Sequence, residues 1–343
     1  MIRVISLSQA GAVRKSGEGA SVRILSPVDS PREVDVLIEA GADEFYGGYL
    51  PPFWEEKYGS IASLNRRSYR EANVPSWEEF DSLLEECWKR GIPFYLTLNA
   101  PLLPEEEDGE ILDFARRCVD MGVSGFIVSD PGLLIALREA GVKAEIHAST
   151  LFNAFSSATV KFLERFGVSR VILPRELTLG EIEGLAKKSG RVKLESIVLR
   201  GKCPNIEGLC GHLHDDPNRC WPCEMKYSRS WEGRFDSRLV REAFLALSEW
   251  EELDRYYSCG LCAIPFLAKA GVFAVKIVGR GSETEKKMRA VRMVKKMWEL
   301  TRGEMDRERC VGMGRSIYAE EFGFPCQAKN CYFPEFFQEE AGE

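Results

Sequence analysis

The chain is poor in histidine, with 3 in 343 residues, and it lacks the motifs on which most metallo- and serine hydrolases are built. There is no His-Glu-x-x-His pair to hold zinc on one helix face, and no Gly-x-Ser-x-Gly elbow to expose a nucleophile. No apolar run approaches bilayer length, and the N-terminus has no basic region leading into an apolar core and a small-residue cleavage site. The expectation is a cytoplasmic protein without a membrane span. An excess of positive charge is also missing. Lys and Arg number 46 against 53 Asp and Glu, a net charge of -7, so any contact with nucleic acid must rest on a local basic face.

Cysteine is what the chain has in plenty, with 11 residues. A reducing cytosol disfavours a disulfide framework, and an odd count cannot pair completely within one chain, so metal or cluster binding becomes the leading use. Six of them, Cys203, Cys210, Cys220, Cys223, Cys259 and Cys262, lie within one stretch. Cys87 and Cys118 fall inside helical patterns and read as core thiols.

Residues 1–21 show no sustained period and read as a flexible leader. From Val22 onward one unit recurs: a short apolar segment, a loop, an amphipathic helix and a Gly stop, as at Gly41, Gly91, Gly122, Gly141, Gly167 and Gly271. Eight strands are predicted: Val22–Leu25, Glu44–Tyr46, Phe94–Leu98, Gly125–Val128, Ala144–Ile146, Arg170–Leu173, Ser196–Leu199 and Ala274–Val278. Eight such units close most economically into an α/β (β/α)8 TIM-type barrel over residues 22–281, with a doubly wound open sheet as the alternative. No Gly-rich dinucleotide loop follows the first strand.

The seventh unit is different. A long cysteine-rich insertion, residues 200–262, follows its strand and brings all six central cysteines toward the carboxyl ends of the strands, where barrel enzymes keep their chemistry. Residues 282–343 supply a last helix, basic through Lys286, Lys287, Arg289, Arg292, Lys295 and Lys296, and a tail bearing Cys310, Cys326 and Cys331. The basic helix reads as a solvated face first and as an RNA-contacting face second.

Two readings of the central cysteines stay open on spacing alone. Cys220-x2-Cys223 and Cys259-x2-Cys262 can grip zinc as two pairs, or Cys203 and Cys210 can join one cysteine from each pair around an iron–sulfur cluster.

Several segments carry a resemblance. Glu195 to Cys203 followed by Cys210, Cys223-Glu-Met-Lys-Tyr227, Cys259 to Val272, and Val275-Lys-Ile-Val-Gly-Arg280 look like the peptidase U32 (collagenase-like protease) family. Asn65-Arg-Arg67, Tyr95 to Asn99, Ile146 to Thr150 and Leu173 to Leu177 fit it too. The resemblance implies a barrel with a [4Fe-4S] cluster on Cys203, Cys210, Cys223 and Cys259. Cys220, Cys262, Cys310, Cys326 and Cys331 are then additional ligand candidates for a second cluster, with zinc as the alternative metal. Better-understood members of that family resemble oxygen-independent hydroxylases of RNA bases or quinone precursors with prephenate as hydroxyl source, and others are labelled peptidases. Expected partners are a prephenate-like donor, RNA or a second U32-family subunit.

Under the hydroxylase reading Arg175, Lys276 and Arg280 offer cations for a carboxylate-bearing donor, His147 and Glu176 can move protons, and Asn99 can orient substrate. The family pattern is broken where Arg200 replaces a His and Val278 replaces a Glu. Glu195, on the amino-terminal side of its strand, reads as a structural partner.

Overall fold

The computed structural model describes residues 22–59, 62–67, 69–203, 205–210, 252–303 and 306–338. The expected leader lies outside the described residues, as do His212, His214, Cys220 and Cys223.

Eight strands, β1 (Arg23–Pro27), β2 (Glu44–Gly47), β3 (Phe94–Leu98), β4 (Gly125–Val128), β5 (Glu145–Ala148), β6 (Arg170–Ile172), β7 (Lys193–Leu199) and β8 (Ala274–Ile277), form a closed barrel in sequence order. All neighbours pair in parallel, and β8 closes on β1 through Arg23–Ala274, Ile24–Val275 and Leu25–Lys276. The TIM-type barrel expected from the recurrent unit is the fold. Its strands are almost wholly buried because helices cover the outside and side chains fill the inside. Helices stop where the Gly pattern places them. Gly41 and Gly271, for example, take φ of 115° and 92°, and their amides close onto the preceding turn.

Strand ends decide which side chains face the lumen. β5 runs to Ala148, two residues beyond the sequence expectation of Ile146, so His147 lies within the strand and not past it. After a register shift between Ile197 and Leu199, β7 gains a neighbour from the far end of the insertion. Gly260 N–H donates to Val198 O at 2.6 Å, Arg200 N–H to Ser258 O at 2.8 Å, and Leu199 and Cys259 form an antiparallel bridge. Cys259 is thereby pinned to the carboxyl end of β7.

The tail doubles back. The helix Thr284–Thr301 packs beside β1, and the helix Arg307–Phe322 returns along it to the insertion, where Tyr318 Oη donates to Tyr257 O at 3.0 Å. Cys331 then forms a parallel bridge with Cys259.

Candidate active site

Alternation along the strands sends Glu44 and Tyr46, Tyr95 and Thr97, Glu145 and His147, Arg170, Glu195 and Lys276 into the lumen, where they meet one another. Arg170 is fully buried and donates to Glu44 at 2.6 and 3.1 Å and to Glu195 at 3.0 Å. Lys276 Nζ lies 3.5 Å from Glu195 and 3.9 Å from the Tyr46 ring centroid. Burial pushes its amine down to about 8, against the opposing pull of Glu195. Glu195 is indeed a structural partner: it balances two buried cations.

Above this layer lies the mouth. Arg280, past β8, donates to Thr97 Oγ1 at 2.8 Å and to Asn65 O at 2.6 Å. Burial, then the nearby Arg67 charge, lowers its guanidinium to about 10. The loop after β2 makes room for it. A Cβ on Gly48 would sit 2.2 Å from Arg280 Nη1, so only glycine admits the guanidinium there. Arg175, past β6, pairs with Glu207 of the insertion at 2.9 Å, and Arg66 and Arg67 also bear on Glu207.

Three non-glycine residues take left-handed backbone, Arg66 (φ 61°), Asn153 (φ 51°) and Arg200 (φ 60°), and each lies in a loop at the carboxyl end of a strand. Such strain concentrates at functional sites. Asn enters this region readily, as Asn153 does, whereas nothing in residue type announces Arg66. Of the two, Arg66 alone falls within a family-like segment, as the middle of Asn65-Arg-Arg67.

The structure disperses the other predicted residues. His147 is fully buried in the lumen, with Nε2 2.9 Å from Glu145 Oε2 and its ring 4.2 Å from that of Tyr95. Burial and then the Arg170 charge hold it down to about 4, so it is neutral at pH 7. Its location at the mouth, as expected from a strand ending at Ile146, is thus corrected by two further residues of strand. Glu176 is at the exposed rim, its carboxyl raised by partial burial. Asn99 keeps Oδ1 buried without a hydrogen-bond partner among the described residues, next to the mouth. Asp130 caps a helix by accepting from Leu133 N–H at 2.8 Å. Arg200 turns away from the mouth, donating to Lys286 O at 2.9 Å and lying over the Tyr256 ring.

The cysteines separate. Cys203 is buried and accepts from Asn205 N–H at 3.4 Å, facing Arg175 and Glu207, and Cys210 bears on Arg66. Cys259 instead shares a small cavity with Cys262, Cys326 and Cys331. Burial pushes the Cys262 thiol up to about 12 and that of Cys331 to about 11. Cys310 is fully buried in the core and does not line that cavity. Of the expected set Cys203, Cys210, Cys223 and Cys259, Cys223 lies outside the described residues, and Cys203 and Cys210 do not line the cavity that Cys259 lines. No three His, Cys, Asp or Glu side chains among the described residues stand so as to hold one metal ion.

The helix Thr284–Thr301 is less of a basic face than its composition suggests. Lys287 is buried on Asp29 and Glu33, Arg289 pairs with Glu321, Lys295 with Glu299 and Lys296 with Glu320. No helix among the described residues is long and apolar enough to cross a membrane.

Fold and site define a (β/α)8 barrel whose mouth carries arginines and cysteines over an ionised lumen. The chain belongs to the peptidase U32 family, whose model, "Peptidase family U32", matches residues 29–321. It is 32% identical over 204 residues to "tRNA hydroxylation protein P" of Escherichia coli (strain K12), a match covering 57% of this chain and 41% of that protein. It is 28% identical over 199 residues to "Collagenase" of Porphyromonas gingivalis, covering 54% and 44%. With "tRNA hydroxylation protein P1" of Bacillus subtilis the identity is 25% over 269 residues, covering 75% and 58%. The chain thus matches less than two thirds of the length of each of these relatives.

Proposed function

We propose that this chain is an iron–sulfur-dependent enzyme of the hydroxylase type acting on an RNA base, with a small prephenate-like donor of the hydroxyl group. The observation that carries this reading is the pair of buried cations, Lys276 in the lumen beside Glu195 and Arg280 at the mouth, bonded to Thr97 Oγ1 and Asn65 O. A fixed guanidinium and a buried ammonium are what a carboxylate-bearing donor needs for orientation, and a low-dielectric mouth strengthens both. The names of the tRNA hydroxylation relatives favour RNA over a quinone precursor as acceptor.

Within the proposal, Arg280 and Lys276 bind the donor's carboxylates, Asn99 orients the acceptor through its Oδ1, and Glu176 at the rim takes or returns a proton. His147, neutral and tied to Glu145, shapes the lumen. A cluster held through Cys203 and Cys210 would supply a redox centre beside the mouth.

Proteolysis has weaker support, although one relative is named a collagenase. The described histidine, His147, is committed to Glu145 inside the barrel, and Cys203 faces Arg175 and Glu207, so no thiol–imidazole pair forms among the described residues. The test is mass spectrometry of digested RNA from the source organism with and without the gene. Loss of a nucleoside one oxygen heavier than its precursor, restored by the wild-type gene and not by an Arg280→Ala variant, is expected. An unchanged nucleoside profile overturns the proposal.

A further inference from the structure

Two cysteine pairs far apart in the chain, Cys259-x2-Cys262 from the insertion and Cys326-x4-Cys331 from the tail, line one cavity together with Gly314 and Tyr318. We infer that these four thiols hold an iron–sulfur cluster of the [4Fe-4S] type, a second centre built by the returning tail, which takes Cys259 out of the set with Cys203 and Cys210.

The backbone builds this site deliberately. Cys259 N–H donates to Asn330 O at 3.1 Å and Tyr332 N–H to Cys259 O at 2.8 Å, so the two pairs are joined by a strand-like bridge with a cysteine on each side. Two sulfurs also receive backbone donors two residues downstream: Leu261 N–H points at Cys259 Sγ at 3.4 Å, and Phe333 N–H at Cys331 Sγ. Amide donors of this kind stabilise sulfur that carries negative charge, and they tune clusters where these are bound. Gly314 is needed for the same reason: a Cβ there would lie 2.6 Å from Cys262 Sγ, so the returning helix touches the thiol only because it has no side chain at that point. Arg315 also lines the cavity, and Lys202, bonded to the carbonyls of Lys329 and Cys331, adds positive charge beside it. A four-thiolate cluster carries net negative charge, which these cations offset.

A polynuclear cluster suits the site better than zinc. All four thiols line one cavity, and among the described residues no three of them stand so as to hold a single ion. A lone tetrahedral ion draws its sulfurs into contact around itself, whereas a cluster keeps them apart at its corners. An all-sulfur lining selects for soft metal chemistry in either case.

This inference goes beyond the proposed hydroxylation and does not depend on it. The test is iron, sulfide and zinc analysis with electron paramagnetic resonance on the anaerobically purified full chain, comparing wild type with Cys326→Ser/Cys331→Ser and with Cys203→Ser. The double variant is expected to lose about four irons and four sulfides per chain, while Cys203→Ser retains that complement. Unchanged iron in the double variant overturns the inference and leaves the mouth reading standing, and zinc in place of iron in the wild type overturns it as well. Differential alkylation of the wild type removes any dependence on the variant folding. Cys326 and Cys331 should resist labelling until the cluster is oxidatively destroyed and then label together with Cys259 and Cys262, and labelling of the tail pair beforehand refutes the assignment.

Discussion

Replacing Lys276 by methionine should separate stability from activity. The amine is 6% exposed and titrates near 8 instead of 10.5, so its burial costs the charged form about 3 kcal/mol in the folded state. That figure is net of the opposing pull of Glu195, which keeps Arg170 at 3.0 Å when Lys276 is gone. Methionine of similar length removes the net cost, so the variant should be no less stable than wild type, its urea midpoint rising by the equivalent of up to about 3 kcal/mol. Activity should fall all the same, by about 100-fold or more, because the ammonium that the proposal assigns to the donor's carboxylate is gone. The wild-type rate should decline above pH 8, where the amine loses its proton, and Lys276→Arg should retain charge and lose that alkaline limb. The assay is formation of the hydroxylated nucleoside by the anaerobic full chain across pH 7 to about 9.5. A flat wild-type profile, or a methionine variant keeping more than about a third of the rate, refutes the reasoning.

Arg170→Met should cost about 3–5 kcal/mol in urea denaturation because it leaves the buried carboxylates of Glu44 and Glu195 short of a counter-charge, and a shift below about 1 kcal/mol counts against the network. His147 has a folded pKa near 4, below its ordinary 6.5, so its contribution of about 3 kcal/mol is complete above pH 6.5 and lost as pH falls through 4. The urea midpoint should drop across that window in the wild type and drop less in His147→Gln. Gly48→Ala should push the Arg280 guanidinium from its seat and crowd the buried Asn65–Asn73 pair, raising KM for the donor by about tenfold with a lowered melting temperature, and an unaltered KM excludes Arg280 from donor binding.

The family-like segments and the barrel were legible because both are local. A strand–helix unit with a glycine stop repeats within about 30 residues, and eight repeats leave few ways to cover a parallel sheet. The pairing of Glu195 with buried cations was legible through its place early in a strand. His147 was misplaced because a two-residue error in a strand end moves a side chain from the rim to the lumen. The ion pairs of the basic helix were not legible because composition counts charges and cannot see Asp29, Glu33, Glu320 and Glu321 across from them.

By itself, then, the sequence determined the barrel, the long loop after the seventh strand and the richness in thiols, since each follows from neighbours along the chain. Only the tertiary structure decided which thiols meet. Cys259 and Cys331 are 72 residues apart and come together because the returning helix Arg307–Phe322 has glycine where it passes Cys262 and because backbone hydrogen bonds join the two segments. Ligand sets depend on distances in space, and spacing along the chain constrains those distances only within a pair.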